Sequence, residues 1–379
     1  MRVRAQAVSI PLEQPTRIST RVLGARDFVI VTVEPDSGDE VGLGYTYAGT
    51  SGGSIVAEII TSLLAPVVVD RGQDDIVGTW EAMFQETLLI GRRGAVIRAM
   101  SAVDIALWDL AAKRAGVPLA VLLGGSMRDV PAYASGGYYR QDSQGWAAAV
   151  TREISANRAV GFTDHKIKVG GLSVAEDALR VAAAVEAMEG TGRLALDANN
   201  AYRTAAEAMT AAEAFEAAAG DIGLWWFEEP LSMEDVQGLA RVRDRIRTPV
   251  ATGEIAQTRH EFRPLIANDA ADILQPDAGV LGGVTEYMRV VRAAETFAVP
   301  VAPHWHANLH VHLAAASTTC LTVEHFTLDK DIYNFERLLV PQSRLEVAGG
   351  LAKVPDRPGI GLDFDADAVK AFEIPVGVA

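Results

Sequence analysis

The chain has 379 residues, 49% hydrophobic and 22% charged, which is enough apolar material for a large core in one barrel or two domains. A formal net charge of −15 argues against a nucleic-acid partner and against an anionic membrane surface, both of which demand a basic face. The single cysteine, Cys320, excludes an intramolecular disulfide and points to a reducing compartment.

The opening "MRVRAQAVSIPLEQPT" has no apolar h-region and no small-residue cleavage site, so a cytoplasmic location is expected. Turn-formers separate three strand-like runs, "VRAQAVSI", "FVIVTVEP" and "GLGYTYAG". Two helical patterns follow. "SIVAEIITSLLAPVVV" is expected to stop at Pro66, and "AVIRAMSAVDIALWDLAAKRAG" to end at Gly116, with Pro118 just beyond. No apolar run is expected to make a span of ~20 residues. The first third, to residue 127, therefore reads as α+β.

From residue 128 the rhythm changes. Eight short β-rich runs recur: "PAYASGGYY", "DHKIKVGG", "GRLALDANN", "LWWFEEP", "TPVATGE", "ADILQPDAG", "VPVAPHWH" and "CLTVEHF". Helical stretches such as "SVAEDALRVAAAVEAME" and "TAAEAMTAAEAFEAAA" separate them. This is the spacing of successive βα units, and eight of them close naturally into a TIM-type barrel. The tail, 351–379, is rich in proline and glycine and is expected to be an irregular return segment.

Almost every run ends in an ionisable residue after an apolar body: Lys166 and Lys168, Asp197, Glu228, Glu254, Asp277, His304, Glu324. Helix capping accounts poorly for this, because glutamate is a weak N-cap and lysine opposes the helix dipole there. The active face of a TIM-type barrel lies at those strand ends. Asp197, Glu228 and Glu254 follow consecutive strands, so their carboxylates converge and call for a cation. An all-oxygen set with open positions suits one Mg²⁺. Lys166 and Lys168 share a strand face on one side of this cluster. His304 stands on the other side, with Asp277 placed to orient its ring.

In this ordered set, "KIK", "LDAN", "FEEP", "TGE", "QPD", "APH" and "VEH", the chain resembles the enolase superfamily and its mandelate racemase subgroup. The entry to the barrel, "LLGGSMRDVPAYAS", and the "GGVTE" after Asp277 extend the resemblance over essentially the whole length. It implies a (β/α)7β barrel over 128–350, an α+β capping domain over 1–127 with specificity loops, and a tail that returns to the cap. It implies Mg²⁺ ligands at Asp197, Glu228 and Glu254, and opposed acid/base groups at Lys168 and His304, the latter backed by Asp277. Lys166 would touch the substrate carboxylate and lower the pKa of Lys168. Glu324 would donate a hydrogen bond to that carboxylate. Ser135 and Asn199 match by position. The implied reaction is removal of the α-proton of a carboxylate through an enediolate. Dehydration of an acid sugar to a 2-keto-3-deoxy acid is expected, with racemisation or epimerisation of a 2-hydroxy acid as the alternative. A small-molecule carboxylate and further copies of the chain are the expected partners.

A polar rim is expected to hold the sugar hydroxyls: Tyr138, Tyr139, His306, Asn308 and the arginines of the 12–27 loop. Tyr45 or Tyr47, beside the glycine-rich "YAGTSGGS", is a further possible contact. That stretch lacks the P-loop pattern and reads as a loop over the barrel mouth. "HWHANLHVH" could suggest a zinc site, but the residues that would complete one are missing.

Overall fold

The computed structural model describes residues 1–376 apart from 37, 39, 72–73, 141–142 and 328–330. Its N-terminal part is an antiparallel meander of Arg2–Arg17, Val22–Glu34 and Gly42–Tyr47, packed on a helix at Ala95–Arg114. Alternation decides the faces. Val29, Val31 and Val33 turn to the helix, where Ile97, Met100, Val103 and Leu107 are buried with them. Gly44 lets strand and helix approach closely, since a Cβ there would lie 2.0 Å from the Ala102 carbonyl oxygen. The first two strands run longer than their apolar alternation suggested, the first of them through Pro11 and Pro15. Among the described residues both prolines lie beyond the outer strand, which pairs only at Ala7 and Val8, so that edge needs no donor from them. The pairing register shifts between Pro11 and Thr16.

The helix expected to stop at Pro66 instead continues to Arg71. It is α-helical over Gly53–Ile59 and Ala65–Arg71, with a π turn at Ile60–Leu64 between them. Pro66 lacks the N–H that a regular turn would use, and the wider turn ahead of it absorbs the misfit. The resulting 19-residue helix has a mean hydropathy of 1.7 in its most apolar window, so by length and composition it passes for a membrane span, which corrects the sequence expectation. Its Val56, Ile60, Leu64 and Val68 pack into the cap core.

The barrel strands are Val130–Gly136, His165–Lys168, Leu194–Asp197, Phe227–Glu228, Val250–Thr252 and Ile273–Leu274, paired in parallel in that order. The eighth, Val323–His325, returns to pair with the first. The seventh run forms no strand among the described residues. Val301 alone bridges Leu274 on one side and Cys320 on the other, which closes the ring. Pro300 and Pro303 flank it and remove the donors that a longer ladder needs. Tyr133, Ala195, Trp226, Ala251, Ile273 and Ala302 fill the interior as an apolar layer. Two residues further along, on the same faces, come Ser135, Asp197, Glu228, Gln275 and His304. The pleat thus stacks a polar layer directly on an apolar plug.

The tail is more regular than its composition suggested. Leu351–Ala352 pairs antiparallel with Val130 and Pro131 of the first barrel strand. A helix at Ala366–Phe372 is capped by the Asp365 side chain, and Glu373–Ile374 pairs with Ala7 and Val8 of the cap.

Candidate active site

The polar layer brings Asp197, Glu228 and Glu254 together, with one oxygen from each lying within 4.8 Å of the others and all three residues buried. Glu228 Oε2 accepts from Trp226 Nε1 at 2.8 Å and from Gln275 Nε2 at 2.7 Å, and Oε1 faces Lys166 Nζ at 2.6 Å. Asp197 Oδ1 accepts from the Asn199 backbone N–H at 2.8 Å, and Oδ2 takes the Lys168 ammonium. Glu254 Oε2 is buried and has no hydrogen-bond partner. Burial and the Asp197 charge push Glu228 up. Burial would push Asp197 up too, but Lys168 and Lys166 outweigh it and hold it low. Three buried carboxylates, one with an orphaned oxygen, form a donor set that fits a hard divalent cation.

Lys166 and Lys168 point to one face of their strand, as the spacing requires, and both are buried. Lys166 pushes Lys168 down as expected, but the net shift in the metal-free protein is upward. Burial and Lys166 would lower Lys168, yet Asp197 wins and its pKa lies above the ordinary lysine value. Burial also fails to lower Lys166, which is held up by Glu228 at 2.6 Å and Glu324 at 2.9 Å. The carboxylates around the two ammonium groups, Asp197 beside Lys168 and Glu228 and Glu324 around Lys166, set the sign.

His304 occupies the other side. Its Nδ1 lies 3.0 Å from Asp277 Oδ2 and its Nε2 lies 3.6 Å from Glu254 Oε2. Burial would lower the imidazole, but Glu254 and the Asp277 hydrogen bond hold it up at about 9. Asp277 is fixed in turn by the Gly279 N–H at 2.8 Å. Burial would raise Glu324, but Lys166 and His304 bring it down to about 2. Ionised, it accepts from Lys166 and from the Trp305 N–H at 2.8 Å. In the metal-free and substrate-free protein it therefore holds no proton, and the donor role that the resemblance implied belongs to the substrate-bound site as a proposal.

The cavity over this layer is lined by Lys168, Asn199, Glu254, His304, Tyr138 and Trp305 from the barrel, and by Ile18, Arg21, Leu23, Arg26 and Tyr47 from the cap. Asn199 takes a positive φ of 44°, which turns it to the mouth. Ser135 is buried beside Lys166 in the strand register and does not line this cavity. The rest of the expected rim turns away. His306 is fully buried, packed edge-on against Tyr45 with its Nδ1 3.4 Å from Tyr333 Oη. Tyr139 gives its hydroxyl to Asp177 at 2.8 Å, and Asn308 binds Glu336 at 2.8 Å. Arg17 donates to the Gly171 carbonyl at 2.7 Å. The helix that begins just after His306 turns alternate residues off the mouth, a rotation that strand spacing does not reveal.

Sequence reasoning missed Trp305 and did not single out Arg26. The only signal for Arg26 was strand alternation in "VLGARDF", which puts Arg26 on the face of Phe28. For Trp305 there was none, because its φ of 63° is rare for so large a residue.

Residues 1–124 match the family described as mandelate racemase / muconate lactonizing enzyme, N-terminal domain, and residues 149–368 match enolase C-terminal domain-like. An arabinonate dehydratase of Saccharolobus solfataricus is 33% identical over 352 residues, covering 91% of this chain and 90% of its own. A racemase from Streptomyces coelicolor with bound magnesium superposes with a TM-score of 0.89 at 30% identity, covering 98% of this chain and 99% of its own. An L-talarate dehydratase from Polaromonas, complexed with Mg and L-glucarate, gives 0.87 at 32% identity, covering 100% and 98%.

Proposed function

The chain belongs to the mandelate racemase / muconate lactonizing enzyme family of enolase-like proteins, and from that premise we propose that it is a Mg²⁺-dependent hydro-lyase that dehydrates an acid sugar to a 2-keto-3-deoxy acid. The observation that carries the reading is the cluster of Asp197, Glu228 and Glu254 between Lys168 on one side and the Asp277–His304 pair on the other. Those three carboxylates would hold one Mg²⁺, which supplies a Lewis acid for the negative charge that builds on the substrate carboxylate.

The chain's own residues do the rest. Lys166 faces the reacting carboxylate and balances its charge. Lys168 and His304 divide the proton work: one removes the C2 proton and the other protonates the departing C3 hydroxyl. The C2–H and C3–O bonds break, water leaves, and the enol tautomerises to the 2-keto acid. In the metal-free protein Glu254 and Asp277 raise His304 to about 9, and Asp277 holds its ring in place. Trp305 and the cap residues Ile18, Leu23, Arg26 and Tyr47 line the cavity over the barrel mouth. The mixed polar and apolar lining suits a substrate with several hydroxyls and a carbon backbone. The reading also takes in a cap over 1–127, a barrel over 128–350, a returning segment over 351–379, a cytoplasmic location and assembly of several copies.

Racemisation or epimerisation of a 2-hydroxy acid is the second reading, supported by the same opposed pair and by the similarity to the Streptomyces coelicolor racemase. Incubating the Mg²⁺-loaded protein with a panel of acid sugars, with semicarbazide detection of 2-keto acids and polarimetry, separates the two. A keto product is expected. A change in rotation without one would replace dehydration by epimerisation.

A further inference from the structure

Among the described residues Arg26 is a buried cation without an anionic partner. It sits on the second cap strand opposite Ile10, beside the register shift at Pro11–Thr16, and is only 3% exposed. Its guanidinium carbon lies 4.4 Å from the centre of the Trp305 ring and 5.5 Å from that of Tyr47. Nη1 donates to Tyr47 Oη at 3.1 Å. Nε is buried with no hydrogen-bond partner, and among the described residues no carboxylate pairs with the group, whose one side-chain bond is to Tyr47. Arg180, which is equally buried, shows the usual solution: Asp177 at 2.7 Å and two backbone carbonyls. Leaving a buried charge uncompensated is costly, so its persistence needs a reason.

The geometry supplies one. Arg26 lines the cavity that also holds Lys168, Asn199, Glu254 and His304, but enters it from the cap. The aromatic faces fix the plane of the guanidinium. Tyr47 occupies Nη1, on one side of the fork. Nε and Nη2 form the other edge, and that edge matches the two oxygens of a carboxylate. Arg21, exposed at the rim, adds positive charge on the same side. Lys166 and the three acidic residues lie at the opposite, barrel end of the site. A substrate bound there by its reacting carboxylate would bring its far end towards Arg26.

We propose that Arg26 is the residue that recognises a second, distal carboxylate, so that the enzyme selects dicarboxylic acid sugars over monocarboxylic ones of the same configuration. This rests on the acid-sugar reading above. The guanidinium takes part in no proton transfer. It orients the chain of the substrate and sets which class is accepted.

The test pairs four-, five- and six-carbon aldarates with the aldonates of matching configuration, in wild type, Arg26→Gln and Arg26→Lys, each with Mg²⁺. Wild type is expected to favour the diacid in kcat/KM. In Arg26→Gln the diacid-to-monoacid ratio should fall about 10- to 100-fold, the weight of a charge-assisted pair of hydrogen bonds. Arg26→Lys, which keeps the charge but not the two-donor edge, should fall in between. An unchanged ratio in Arg26→Gln would make Arg26 a structural partner of Trp305 and overturn the proposal. Turnover of aldonates alone would also overturn it, with the dehydratase reading left standing. If neither class is dehydrated, that reading fails, and thermal shifts decide on Arg26. A diacid-specific shift lost in Arg26→Gln upholds the distal carboxylate site, and equal shifts for both classes remove it.

Discussion

His304 Nδ1 stands 3.0 Å from Asp277 Oδ2, so the ring is held at one nitrogen and offers the other to the cavity, 3.6 Å from Glu254. Replacing Asp277 by asparagine keeps the shape but removes the anion that favours the imidazolium. Turnover is expected to fall about 100-fold or more. The His304 titration should move down from about 9. Histidine NMR of the variant checks the shift, and an unmoved titration would remove Asp277 from its orienting role.

The same residue predicts a pH dependence of stability. In metal-free protein the folded pKa of His304 is about 9, raised above the unfolded value of about 6.5. Its contribution is fully present below about 6.5 and is lost as pH rises through about 9. The Tm difference between wild type and His304→Asn, both in EDTA, should shrink across that window. Mg²⁺ on Glu254 screens the carboxylate that raises the pKa, so the effect should be smaller in the loaded protein.

A second group should run in the same direction at lower pH. Burial lifts Asp104 to about 7, although it accepts hydrogen bonds from the Thr285 N–H at 2.8 Å and hydroxyl at 2.6 Å. These bonds tie the Ala95–Arg114 helix to the barrel. The neutral acid is favoured on folding, so its stabilisation is present below about 4 and is lost as pH rises through about 7. The Tm of wild type relative to Asp104→Asn should decline over that range. A flat difference would show that Asp104 keeps its charge.

Lys168→Ala and His304→Asn should each lower turnover by about 10²- to 10⁴-fold while leaving Mg²⁺ affinity within a few-fold of wild type. The two need not be equivalent. The variant that still exchanges the substrate α-proton with D₂O retains the abstracting base. Turnover at the wild-type rate in either one would take that residue out of the chemistry.

The site was legible wherever chemistry and strand spacing coincide. Asp197 and Glu228 follow apolar strand bodies two residues after Ala195 and Trp226, which puts them on the barrel face. Glu254 lies one residue out of that period, after Gly253 at a φ of 122°, and was legible only as a strand-end carboxylate. The electrostatics were less legible. Sequence adjacency suggested that Lys166 and Lys168 depress each other, but Asp197, Glu228 and Glu324 are brought close only by barrel closure. The rim was legible in part. Tyr138 and Tyr47 line the cavity, whereas His306 and Asn308 follow the chain into a helix and turn inward. Arg26 and Trp305 meet across the cap and barrel, a contact 279 positions apart that no local pattern carries.

Glu228→Gln should abolish tight Mg²⁺ binding, since it removes one of three anions and leaves Lys166 without its 2.6 Å partner. Calorimetric titration with Mg²⁺ reads this directly. In wild type, EDTA should lower the Tm, because the ion binds the folded state alone. An EDTA-insensitive Tm together with unchanged affinity in Glu228→Gln would make the triad structural.

The central claim is Mg²⁺-dependent removal of a proton next to a carboxylate, followed by loss of the neighbouring hydroxyl. NMR of an acid-sugar panel incubated in D₂O, with Mg²⁺ and with EDTA, reads it most directly. The expected result is a 2-keto-3-deoxy acid carrying solvent deuterium at C3, formed with Mg²⁺ and absent with EDTA. Product formed equally in EDTA, or neither product nor α-proton exchange with Mg²⁺ across the whole panel, would contradict it.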